Sequence, residues 1–219
     1  MVTKIFSMSG FHAVNVTWNK KKVGHYISIT PVWDKGEAGL CMGATLTWLK
    51  KSIATKGGGI RSADELGSPH LMAIVQGAYT QRTIPFTKKD RYKIDKFDVF
   101  PALLSSQSLV PGEAMRGVRF FDPTVIVDLV SRKPCHCLFA FVHPAGESGH
   151  VIGMQYDGHI MEMFDSNYGL HQYSDIESCK GHMRVLALEC YIGCLGGEWI
   201  VLEVTSYLGA NTSGDAFSS

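Results

Sequence analysis

Residues 36–51 read GEAGLCMGATLTWLKK, and the rest of the chain is best read outward from them. Gly36 and Gly39 make a loop. From Cys41 onward the apolar residues Met42, Leu46, Leu49 and Ile53 recur at helical spacing, with Trp48 beside them. Lys50 and Lys51 fall in the later turns, where cations suit the negative end of the helix dipole. Cys41 therefore opens a helix predicted to run to about Lys56 and to stop at Gly57-Gly58-Gly59. Unpaired N–H groups and the positive dipole end at such a position favour an anion, and a thiolate is one. The competing use of a free cysteine is as a small buried apolar residue, so a nucleophile needs support from elsewhere in the chain.

The whole chain bounds what that support can be. Its 219 residues are 45% hydrophobic and 19% charged, a foldable composition for one sizeable domain spanning 1–219. A formal net charge of +1 gives no global field for nucleic acid. The basic run WNKKKVGH at 18–25 reads as a solvated turn between two strands, with contact to an acidic membrane surface as the alternative. Six cysteines in a chain this long are too sparse for a stapled scaffold and too isolated from spaced histidines for zinc. They are expected to be mostly reduced and buried. No metal or cofactor is expected, and the opening MVTKIFSMSGFHAV has no signal-peptide pattern.

Alternation predicts an N-terminal hairpin over about 11–33, from strands at 11–17 and 24–33. Ser68-Pro69 opens a second helix through about Gln81. Residues 82–121 read as a surface excursion with a strand near 93–100. Asp122-Pro123 caps a short helix. CHCLFAFVH (135–143), GHVIGMQYD (149–157) and GHIMEMFDS (158–166) read as strands, the last two joined by a tight Asp157-Gly158 turn. On the first of these, Cys135 and Cys137 share a face that His136 does not, and Met154, Met161 and Met163 read as core. Ser174-Asp175-Ile176-Glu177 signals a capping box for a helix to about Cys190. Residues 198–207 form a last strand, and 208–219 a loose tail. Helices early and an antiparallel meander late make the fold class α+β.

A cysteine nucleophile needs a base, and the base an orienting group. A two-residue turn at Asp157-Gly158 would place His150 directly opposite Asp165 on adjacent strands, so the two side chains can meet with no long-range assumption. With Cys41 at a helix start, the three fit the Cys-His-Asp variant of the triad.

GLCMGATLTWLKK, GHVIGM and FDSNYG resemble motifs of the YopT/AvrPphB group of papain-like cysteine proteases, which bacterial pathogens and symbionts deliver into host cells. The resemblance spans roughly residues 36–205. It implies a papain-like fold with a core at about 36–207, in which a helical part carrying the cysteine packs on an antiparallel sheet carrying the histidine and aspartate. It also implies that Cys41 is the nucleophile, His150 the general base and acid, and Asp165 the orienter. Papain-like enzymes usually place a Gln or Asn a few residues before the cysteine as an oxyanion donor, and here Lys35 and Gly36 stand there. The Cys41 backbone N–H can supply one donor, and the Trp33 indole or Lys35 are candidates for the second. The expected activity is cleavage of a host protein, such as a small GTPase or kinase, by a monomer in the host cytosol, secreted without a visible signal peptide. The same triad could serve deamidation, transglutamination or acyl transfer through a thioester, and a catalytically weak binding module is the third reading.

Overall fold

The computed structural model describes residues 1–8, 40–55, 60–83, 95–118, 121–144 and 149–207, and the backbone of 14–18 and 27–31. In chain order the strands are β1 (Val2–Phe6), β2 (Val14–Trp18), β3 (Ile27–Pro31), β4 (Leu109–Gly117), β5 (Cys135–Val142), β6 (Gly149–Tyr156), β7 (Met161–Asp165), β8 (Gly169–Tyr173) and β9 (Trp199–Ser206). The helices are α1 (Cys41–Ala54), α2 (Pro69–Thr83), α3 (Phe100–Ser106), α4 (Pro123–Val130) and α5 (Ile176–Glu189). Seven strands form one antiparallel sheet in the order β1-β8-β7-β6-β5-β9-β4, and β2 pairs antiparallel with β3 as a separate two-stranded sheet. Among the described residues no helix is long and apolar enough to cross a membrane.

Strand alternation sends Leu138, Ala140, Val151 and Phe164 to one face, where they meet α1, α2 and α3. Phe139, Phe141, Ile152, Met154, Met161 and Met163 go to the other face, under α4 and α5. With both faces covered, the central strands are apolar at nearly every position, as strands buried on two sides must be. The three methionines are fully buried, as the sequence suggests.

Helix α1 lies along β6. The Thr45 hydroxyl donates to the Val151 carbonyl (3.2 Å), and the Trp48 indole lies over Gly153, where a Cβ would come within 2.6 Å of the ring. Trp48 also stacks on Phe164 with centroids 5.7 Å apart and planes 11° apart. At the far end the Ser52 hydroxyl donates to Gln155 Oε1 (2.9 Å) and accepts from His136 Nε2 (3.0 Å). His136, Gln155, Glu162 and Gln172 form a row of cross-strand neighbours across β5 to β8. Arg61 closes the row by pairing with Glu162 (2.7 Å).

Several expectations are corrected. Residues 96–99 form a turn leading into the helix that starts at Phe100, not the strand expected near 93–100, and 109–117 form a sheet edge rather than an excursion. Pro111-Gly112 suits that edge because the β4–β9 register slips between Pro111 and Ala114. Two strands, β1 and β8, go unread in the sequence. The α5 cap is Asp175, which accepts from the Ser178 N–H (2.7 Å), rather than Ser174, whose hydroxyl donates to the Met1 carbonyl. All six cysteines are free, but only Cys137 and Cys179 are buried. Cys135 and Cys137 do share a face, with Sγ atoms 3.5 Å apart. Residues 19–26 and the tail 208–219 lie outside the described residues.

Gly153→Ala should destabilise the protein by about 1–3 kcal/mol, because the added methyl must displace Trp48 from the sheet. Urea denaturation with Trp fluorescence reads this directly. An unchanged midpoint would mean that the α1–β6 contact is not close-packed.

Candidate active site

Helix α1 begins at Cys41 with no side-chain cap of its own. Its first N–H groups must still be satisfied. Gln76, buried on α2, supplies the acceptor: its Oε1 takes the N–H groups of Met42 (3.0 Å) and Gly43 (3.3 Å). The two helices come this close because Gly43 faces the Met72 carbonyl, which a Cβ would meet at 2.0 Å. Among the described residues no group accepts from the Cys41 N–H. Gln76 is absent from the sequence-level candidates, yet it lies four residues after buried Met72, one turn along the same helix face. A glutamine on a buried stripe demands a partner.

His150 is the second residue of β6, and Asp165 ends β7. The two side chains meet, with Nε2 3.0 Å from Oδ1, but not by the expected register. Asp165 stands opposite Ile152, two places from His150. The connection is a four-residue loop, 157–160, rather than a two-residue turn. Asp157 Oδ1 holds it by accepting from the N–H groups of His159 (2.8 Å) and Ile160 (2.7 Å). A shift of two keeps each side chain on its face, so the pair survives as a diagonal contact.

Cys41 lies close enough to His150 to favour charge on the imidazole. With Nε2 on Asp165, Nδ1 is the ring nitrogen left to face the thiol. Thus Cys41, His150 and Asp165, far apart in sequence, come together where α1 begins, β6 begins and β7 ends. Of the oxyanion candidates, Trp33 and Lys35 lie outside the described residues. Among the described residues no cluster of three or more His, Cys, Asp or Glu is arranged to hold a metal ion.

The electrostatics favour an ion pair. Burial opposes charge on His150, yet the Asp165 carboxylate, its hydrogen bond to the ring and the neighbouring Cys41 prevail and raise its pKa to about 10. Burial likewise opposes charge on Asp165. The His150 charge and hydrogen bond, the Asn167 N–H and the Tyr191 hydroxyl outweigh it and hold the carboxyl below its usual range. Asp165 is wholly inaccessible to solvent, and His150 is 8% exposed.

Two further neighbours hold Asp165. The Asn167 N–H donates to Asp165 Oδ1 (2.8 Å) in a turn that follows β7. Tyr191, beyond α5, donates its hydroxyl to Asp165 Oδ2 (2.7 Å) and stacks on the His150 ring. Nothing in the local pattern of ECYIGC marks it, because its role depends on where α5 ends in space.

No family model matches the chain, and no curated protein matches its sequence significantly. Solved structures do match. The crystal structure of the Pseudomonas avirulence protein AvrPphB covers 76% of this chain and 91% of its own, with a TM-score of 0.54 at 14% identity. The fold is that of a papain-like cysteine protease. The ubiquitin-specific protease encoded by a murine cytomegalovirus tegument protein, solved with a ubiquitin-based suicide substrate, covers 75% of this chain and 76% of its own. Its TM-score is 0.44, at 12% identity.

In this papain-like frame, stability should fall on both sides of about pH 6.5. His150 is raised, so its contribution is complete below that pH and is lost as pH climbs through about 10. Burial lowers His136 and His171 to about 4, so theirs is complete above it and is lost as pH falls through about 4. Denaturation midpoints from pH 4 to 10 measure both limbs. Asp165→Asn should flatten the alkaline limb, and an alkaline slope equal to wild type in that variant would contradict the assignment.

Proposed function

We propose that the protein is a cysteine protease with Cys41 as nucleophile, His150 as general base and acid, and Asp165 as the group that orients the imidazole. The observation that carries this reading is the convergence of the three side chains at one end of the sheet, with the thiol on a helix N-terminus. The proton of the Cys41 thiol passes to His150 Nδ1, and the thiolate attacks the carbonyl carbon of the scissile peptide. The Cys41 N–H is the first donor to the developing oxyanion. His150 returns its proton to the leaving amine as the C–N bond breaks, which leaves a thioester on Cys41. It then takes a proton from water, hydroxide adds to the thioester carbon, and the acid product leaves as the thiol re-forms. Asp165 keeps one tautomer and one ring orientation through both halves.

The substrate is a host protein, such as a small GTPase or kinase, reached after delivery into the host cytosol. Two observations support the effector reading: the motif resemblance, and the shared fold with a protein named for avirulence.

Mass spectrometry of candidate host proteins incubated with wild type and with Cys41→Ala tests the activity. A backbone cut made by wild type alone is expected. A mass change on an uncut chain would replace proteolysis with deamidation or acyl transfer. Cys41→Ala should abolish turnover while stability moves by less than about 2 kcal/mol, because little volume is lost. Asp165→Asn should lower turnover about a hundredfold or more. Near wild-type turnover in that variant would reduce Asp165 to a turn residue.

A further inference from the structure

We infer that Tyr191 is a positioning residue of the proposed reaction: its hydroxyl fixes the Asp165 carboxylate and its ring backs His150, so that Nδ1 stays aimed at Cys41. The inference rests on the catalytic reading above and adds a residue to it.

Asp165 has two carboxylate oxygens to satisfy in a site without solvent. Oδ1 receives His150 Nε2 and the Asn167 N–H. Among the described residues, Oδ2 receives only the Tyr191 hydroxyl, at 2.7 Å. An O–H donor on a carboxylate is among the stronger hydrogen bonds in proteins, and without it the oxygen would be buried and unpaired. A residue that merely filled space here could be phenylalanine. The hydroxyl in turn accepts from Asn167 Nδ2 (3.2 Å), so its proton is directed at Asp165. Burial and the Asp165 charge both push the phenol far above its ordinary range, which keeps it a donor.

The ring makes the second contact. It stacks on His150 with centroids 4.7 Å apart and planes 21° apart. Its other neighbours wedge it in place, with Phe141 at 5.2 Å and Tyr168 at 6.4 Å, both edge-on. The backbone is pinned as well. The Tyr191 N–H donates to the Leu186 carbonyl (3.1 Å), and its carbonyl accepts from the Cys194 N–H (2.8 Å). One face of the His150 ring is thus backed by an aromatic ring that cannot easily leave. Rotation of the imidazole out of the Asp165–Cys41 line would break the stack. The other titratable groups that sense the Asp165 charge are Tyr168, Tyr173, His171 and His182.

The test uses thiol alkylation, which needs no known substrate. The rate of Cys41 modification by iodoacetamide is followed from pH 4 to 9 by peptide mass spectrometry, in wild type, Tyr191→Phe, Asn167→Ala and Asp165→Asn. In wild type Cys41 should react at pH 6 far faster than the other five cysteines. Uniform slow labelling would overturn the catalytic reading, and with it this inference. In Tyr191→Phe, which keeps the ring, the acid limb should move up by about half to one pH unit, a fall of about three- to tenfold in the rate at pH 6. Asn167→Ala should move it less, in the same direction, and decides the question if Tyr191→Phe does not fold. General loosening would instead speed labelling of buried Cys137 and Cys179. Fast wild-type labelling with Tyr191→Phe and Asn167→Ala curves superimposed on it, while the Asp165→Asn curve moves, would make Tyr191 a packing residue only.

Discussion

The placement of helix α1 along strand β6 is the constraint from which the site follows. A helix climbs about 16 Å between Cys41 and Ser52, and a strand extends about 16 Å between His150 and Gln155. The two lengths match, so a contact at one end predicts a contact at the other. Ser52 meets Gln155 at one end, Trp48 lies on Gly153 in the middle, and Cys41 meets His150 at the other end. The large indole and the missing Cβ beneath it set the distance between helix and sheet. Gly43 and Gln76 set it between α1 and α2. Nucleophile and base therefore belong to two elements whose spacing is decided by packing remote from either residue.

Within that frame the site spends stability on function. A carboxylate as buried as Asp165 costs several kcal/mol in desolvation unless its partners are well placed. Here four groups share the task of compensation: His150, the Asn167 N–H, the Tyr191 hydroxyl and, behind it, the Asn167 amide. A core built only for stability would place an apolar residue at the end of β7. Elsewhere the sheet handles polar residues differently. The row of His136, Gln155, Glu162 and Gln172 is closed by Arg61 at the rim, where one partner stays half in water. There burial holds His136 neutral, whereas it fails to do so at His150. The difference is the carboxylate.

Much of this was legible in the sequence where local rules act alone. Helical periodicity after Cys41, the Asp122 cap, the apolar runs of β5 and β6 and the face assignment of Cys135 and Cys137 all depend on near neighbours. Long-range decisions were harder to read. Strands β1 and β8 stabilise each other across most of the chain, and GLHQY carries too few apolar residues to announce itself. Strand β4 contains Pro111-Gly112, which reads as loop until its place at the sheet edge is known. The hairpin register missed by two because the Asp157 side chain caps a wider loop than its Asp-Gly pair suggests. The His150–Asp165 pairing survived because a shift of two preserves the face. Tyr191 had no local signature, since it acts on a residue brought near by a different element, and Gln76 showed only as a glutamine on a buried helix face.

Side-chain nitrogen NMR measures directly whether the fold holds His150 as an imidazolium between Cys41 and Asp165. With the resonances assigned by their loss in His150→Asn, His150 should remain doubly protonated at pH 8 and change only as pH approaches about 10. A single titration near its ordinary value of 6.5 would contradict the account, because the ring would then feel neither partner strongly enough to hold a proton between them.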